Sequence, residues 1–142
     1  MTPEQEKQQA RLLKKGDAKA CTRFALDVPD ADIAALEQRV LSIGDAGVCC
    51  WFAEEVPGAD KKALEARVLE IGDGFYCCAF ARNVPGADIA ALQARVLVIG
   101  DTHECGLFAE TVPGADKEAL MARAQALREA EMADAATSVC AP

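Results

Sequence analysis

Apolar positions along this chain recur with a period of 28 residues. Leu36, Leu64, Leu92 and Leu120 form one series, and Phe24, Phe52, Phe80 and Phe108 a second. Val28, Val56, Val84 and Val112, each followed by proline, form a third. Within the stretch from Gly58 to Pro85, Leu64, Val68 and Ile71 fall at i, i+4 and i+7, one face of a helix. Asp60 is a good N-cap for that helix, Lys61–Ile71 is rich in helix formers, and Gly72 stands where a left-handed residue ends it. Asp73 can cap a second helix, in which Cys77, Phe80, Ala81 and Val84 fall at i, i+3, i+4 and i+7. Pro85 and Gly86 stop it, because proline disfavours helical geometry in the residue before it. Each unit therefore reads as a helix of about 11 residues, a Gly-Asp corner, a helix of about nine and a Val-Pro-Gly turn. Alternation with period two is absent, so no strands are predicted.

Self-similarity at this period marks a solenoid, in which each unit buries its apolar face only against its neighbours. The predicted fold is all-α: one right-handed α-solenoid domain of four 28-residue helix-turn-helix repeats with N- and C-terminal capping helices. The repeats span 17–44, 45–72, 73–100 and 101–128, with a capping helix in 1–16 and a capping helix and tail in 129–142. Arg128-Glu129 replaces the Gly-Asp corner, so the last helix is expected to run from Lys117 to about Ala136, leaving Thr137–Pro142 as a loose tail. A leucine-rich repeat of similar length needs an apolar residue three after the Leu, where Arg39, Arg67 and Arg95 stand.

The repeated grammar is Gly-Asp, a short helix ending Phe-Ala-x-x-Val-Pro-Gly-Ala-Asp, then Ala-Leu-x-Ala-Arg-Val-Leu. It resembles short two-helix repeats of uncharacterised bacterial and phage proteins over about residues 16–128. In layout it is also similar to variant leucine-rich and HEAT-type α-solenoids. The resemblance implies a protein-binding scaffold. The separate cysteine-rich segment that carries an iron–sulfur cluster in some variant leucine-rich proteins has no counterpart here.

Composition narrows the partners. Aromatic residues make up only 5% of the chain, so small side chains must pack the core. The net charge is −8, distributed as +3 over residues 1–23 and −11 over the rest. An acidic body excludes direct nucleic-acid binding, which needs a basic surface, and favours a basic protein or peptide partner. No apolar run approaches the ~18 residues of a membrane span. Met1–Lys7 lacks the layout of a signal peptide, so the seven cysteines are expected as reduced thiols in a cytoplasmic protein.

Cys21, Cys49, Cys77 and Cys105 occupy one slot in successive repeats, with Cys50 and Cys78 beside two of them. Equivalent positions on stacked helices lie about 8–10 Å apart, too far for a disulfide or a shared zinc ion, so core packing is expected. No metal or other cofactor is expected. His103-Glu104-Cys105 holds the one histidine, and positions i and i+2 on a helix do not face each other. Two serines and one asparagine, without a phosphate-binding glycine loop, offer no catalytic set, so the protein is read as non-enzymatic. The Arg39, Arg67, Arg95 and Arg123 series is expected to pack its stems and to bridge to helix-capping aspartates such as Asp60 or Asp73.

Positions that break the repeat are free of packing constraints and can carry specificity. The first turns of the short helices and the position two after the ladder cysteine are such sites. They hold the only Trp and only Tyr, and the one Phe outside the ladder. Trp51, Phe75, Tyr76, His103, Glu104 and Leu107 are the candidate partner-binding strip. Two further readings follow from charge alone. One is an acidic inhibitor that mimics nucleic acid and blocks a nucleic-acid-binding protein, such as a phage counter-defence factor. The other is a homo-oligomer stacking basic head on acidic body.

Overall fold

A computed structural model of the chain describes residues 1–140, with the side chains of residues 1–135. Among the described residues the protein is all-α, with nine helices and no strand. They are α1 (Pro3–Lys15), α2 (Ala18–Asp27), α3 (Ile33–Ile43), α4 (Ala46–Glu55), α5 (Lys61–Ile71), α6 (Gly74–Asn83), α7 (Ile89–Ile99), α8 (Thr102–Thr111) and α9 (Lys117–Cys140). The last helix continues past Ala136, through residues expected as tail; Ala141 and Pro142 lie outside the described residues. None of the described helices is long and apolar enough to cross a membrane.

Every start is held by a side chain. Thr2 and Gln5 form a capping box on α1. Each later helix begins behind an aspartate whose carboxylate accepts a first-turn N–H, from Asp17 on Ala20 (2.7 Å) to Asp116 on Ala119 (3.1 Å). Such caps stabilise a helix by about 1 kcal/mol each, which suits helices of ten or eleven residues that are too short to stand alone.

The corners close in two ways. Gly44 (φ 76°) and Gly72 (φ 75°) are left-handed, whereas Gly16 and Gly100 are extended at φ −69° and −72°. The arginine from the next long helix accompanies the difference. The Arg67 guanidinium lies against Gly44 and that of Arg95 against Gly72, where any Cβ would collide. At Gly16, Arg39 Nε instead donates to the glycine carbonyl at 3.2 Å. After the short helices, Ala59 N–H closes a turn on the Val56 carbonyl with left-handed Gly58 in it, as Ala115 does on Val112 around Gly114. Proline second and a left-handed glycine third make these type II turns.

The chain divides into two compact units: residues 1–71 with 83–87, and residues 72–82 with 88–142. In the first, long helices α1 and α3 pack side by side, short helices α2 and α4 do likewise, and the α2–α3 and α4–α5 hairpins join the rows. Its core holds Cys21, Leu36, Val40, Cys49, Phe52, Leu64 and Val68, all fully buried, with Phe24 nearly so. In the second, α8 packs on α7 and on α9, and α6 meets α8 through Cys78 and Thr111. Cys77, Phe80, Leu92, Val96, Cys105, Phe108, Leu120 and Ala124 fill its core. The predicted Leu, Val, Phe and Cys series are thus the core residues. Ile71, expected on the same face, is 36% exposed at the last position of α5.

Consecutive long helices are also joined by a polar bond that the hydropathy pattern does not reveal. Gln9 Oε1 accepts the Asp32 N–H (2.9 Å), Glu37 Oε2 that of Asp60 (2.7 Å) and Gln93 Oε1 that of Asp116 (2.7 Å). Donor and acceptor stand 23 residues apart in each case. Each bond satisfies the N–H of the capping residue itself. Met121 occupies the same column in the last repeat.

Candidate functional site

The cysteine and arginine ladders belong to the scaffold. Cys21, Cys49, Cys77 and Cys105 are fully buried, and Cys50 and Cys78 are buried beside them. Burial pushes the Cys49 and Cys77 thiols up to about 11, against the opposing pull of Arg67 and Arg95. A thiol so disfavoured as thiolate is inert as a nucleophile. No group of three or more metal-ligating side chains occurs among the described residues. Two of the arginines meet backbone rather than capping aspartates: Arg39 donates to Gly16 O, and Arg67 Nε to the Leu41 carbonyl at 3.1 Å, while Arg67 Nη1 lies 3.2 Å from Glu70; the Arg95 Nε is buried with no hydrogen-bond partner among the described residues. For Arg39 and Arg67 the expected bridge to an Asp gives way because the guanidinium reaches the end of the preceding long helix, where orphan carbonyls and the negative dipole end attract it.

The strip residues sit in both units. Trp51, half-buried on α4, belongs to the first; the other five belong to the second. Phe75 and Tyr76 open α6, where the Asp73 carboxylate accepts both of their N–H groups at 2.9 and 3.3 Å. Their rings meet edge to face, with centroids 5.2 Å apart and planes at 86°. Phe75 is 47% exposed, so a large apolar ring is presented to solvent and steadied by its neighbour.

Glu104 and its neighbours point to different tasks. Glu104 is engaged in the scaffold: its carboxylate accepts the Asp101 N–H at 3.1 Å in a capping box, and it lies over Gly74, where a Cβ would come within 2.7 Å of it. His103 and Leu107 line an open groove of about 430 Å³ between α8 and α9, together with Thr102, Gly106, Glu110 and Arg128. The structure therefore brings Phe75 to Tyr76 and His103 to Leu107, and turns Glu104 inward toward α6.

Sequence reasoning left Thr102, Gly106, Glu110 and Arg128 out of the candidate strip, although Thr102 heads one of the non-repeating first turns. A signal existed in the columns. Residues 18, 46 and 74 are Ala, Ala and Gly, and 22, 50 and 78 are Thr, Cys and Cys, all buried. The last repeat departs from both columns, with half-buried Thr102 and Gly106. Comparison of the chain with protein-family models, with curated proteins and with solved structures finds no match in any of the three.

Proposed function

We propose that this protein is a non-enzymatic scaffold that binds a basic protein or peptide. In this reading the helices form an α-solenoid of four 28-residue repeats with helical caps, and the non-repeating residues of the short helices are its recognition surface. The observation that carries it is the Phe75–Tyr76 pair. An exposed aromatic ring, locked edge to face at the start of a capped helix, serves no packing need. It offers a partner a rigid apolar anchor at little entropic cost. The −11 net charge of residues 24–142 supplies long-range attraction for a basic partner.

The test is capture of partners from lysate at low and high salt by wild type and by the Phe75→Ala/Tyr76→Ala variant, with Trp51→Ala tested separately. A partner retained at high salt and lost with the aromatic pair supports the reading. A partner lost with salt yet kept by the variant points instead to acidic mimicry of nucleic acid, whose hallmark is a steep salt dependence.

A further inference from the structure

Between α1 and α2, in the first unit, lies an open groove of about 290 Å³. Its floor is apolar: Phe24 and Val28 are buried, and Leu12 and Ala20 half-buried. Its rim carries Arg23 and, one turn on, Asp27, both exposed. Later repeats hold Trp51, Ala79 and Leu107 in the place of Arg23, so the cation belongs to this helix alone. Around the groove, residues 1–23 hold six Lys/Arg against three Asp/Glu. No ion pair among the described residues engages any of the six.

The second unit carries a stretch of opposite character. From Glu129 to Ala135, α9 is helical and exposed at every position. Those residues hold three carboxylates, Glu129, Glu131 and Asp134, and no cation. Met132 among them is 72% exposed, more than any other large apolar side chain among the described residues. Arg128, Glu131 and Met132 fall at i, i+3 and i+4 and so share one face. Most helix stability in proteins comes from a packed face, and this part of α9 has none.

We infer that the uncovered stretch of α9 in one copy docks into the α1–α2 groove of a second copy, antiparallel to α2. The order of charges selects both occupant and direction. Along α2 the rim reads Arg23 then Asp27, and along α9 the free face reads Arg128 then Glu131. Antiparallel docking sets Glu131 against Arg23 and Arg128 against Asp27, whereas parallel docking opposes like charges. Met132, one residue after Glu131, then comes over the apolar floor beside Phe24. The −8 of each copy is screened beyond about 8 Å at physiological salt, so this local match decides the contact. A docking stretch of seven residues is about 10 Å of helix, well short of a standard interface, so the association is weak and reversible. Groove and helix are different surfaces, so each pair keeps one of each free. Growth continues past the dimer unless the rotation closes a ring.

Sedimentation equilibrium of the full chain across rising protein concentration tests this with a charge swap. Wild-type mass is expected to climb with concentration, less steeply at high salt. Arg23→Glu spoils the groove and Glu131→Arg spoils the helix, and each alone is expected to move association to concentrations at least about tenfold higher. Both sites are exposed, so both variants keep the fold, which circular dichroism verifies. An equimolar mixture of the two is expected to associate like wild type, since each variant's intact surface and its reversed one find their match on the other. A wild type that stays monomeric, or single variants that associate like wild type, overturns the inference. Loss in both variants without rescue by mixing overturns it as well. Loss with Glu131→Arg alone assigns α9 to a two-fold contact with itself and refutes the groove. Neither variant touches Phe75 or Tyr76, so these outcomes leave the partner-binding reading to its own test.

Discussion

Replacing Gly106 and Gly44 by alanine is expected to move stability in opposite directions. Gly106 is the fifth residue of α8, and its missing side chain would project into open space. Alanine there gains the full difference in helix propensity, about 0.8 kcal/mol, with no steric cost. For a domain of this size that raises the melting temperature by roughly 2–4 °C. Gly44 caps α3 at φ 76°, where an L side chain costs about 1–2 kcal/mol, and the Arg67 guanidinium fills the space a Cβ needs. Gly44→Ala is therefore expected to lose at least about 1 kcal/mol. Urea denaturation followed by far-ultraviolet circular dichroism reads both variants against wild type. If Gly106→Ala proves destabilising, the position is not open and the steric reading of it is wrong.

Two further outcomes are expected. Glu37 is only 5% exposed, and burial raises its carboxyl above the ordinary range, opposed by the hydrogen bond from Asp60 N–H. Its carboxyl therefore contributes stability that is fully present below the unfolded value, about 4.3, and is lost as pH rises through the folded value. Glu37→Gln keeps the acceptor and flattens that decline, whereas Glu37→Met leaves Asp60 N–H unpaired at about 1–2 kcal/mol; equal losses in urea melts would sink the bond's role. The Cys49 and Cys77 thiols, pushed up to about 11, expose roughly one thiolate in a thousand at pH 8, so native labelling by a disulfide-exchange reagent is expected to wait for unfolding. The same raised values mean that this contribution to stability holds below the unfolded thiol range and is lost as pH climbs through about 11. Fast native labelling at either position refutes their burial.

Helices, caps and core are legible in the chain because each is written locally and then repeated. Asp60 and Asp73 announce their helices through chemistry within three residues, and Leu64, Val68 and Phe80 share a face by periodicity alone. Gly72 and Gly100 are the same residue in the same motif, yet one is left-handed and the other extended. At Gly72 the Arg95 guanidinium, 23 residues away, lies against the corner, whereas Gly100 meets the Val96 carbonyl of its own helix, and no local window distinguishes the two. Ile71 likewise keeps the periodicity of its face yet stands exposed at the last position of α5.

The candidate site was legible in part. Phe75 and Tyr76 stand out because they break a column, and they are exposed or half-buried as such residues should be. Glu104 breaks its column too, but its carboxylate is spent on the Asp101 cap, a role that spacing shares with any first-turn glutamate. Gly106 was silent for the opposite reason. An absent side chain carries no chemistry, and the groove that Gly106 lines takes shape only in three dimensions.

The bond from Gln9, Glu37 or Gln93 to the next capping aspartate has a consequence for how such a chain can lengthen. A 28-residue segment that contains Glu37 or Gln93 carries one such acceptor and one donor. A duplicated segment therefore arrives with both halves of its own joint, and a deletion removes both halves together. Copy number can change by whole units without stranding a polar group, and no compensating substitution is required. Met121 marks where this arithmetic stops: a unit added after it would offer a capping N–H to a thioether, and growth at that end would first have to restore a Gln or Glu.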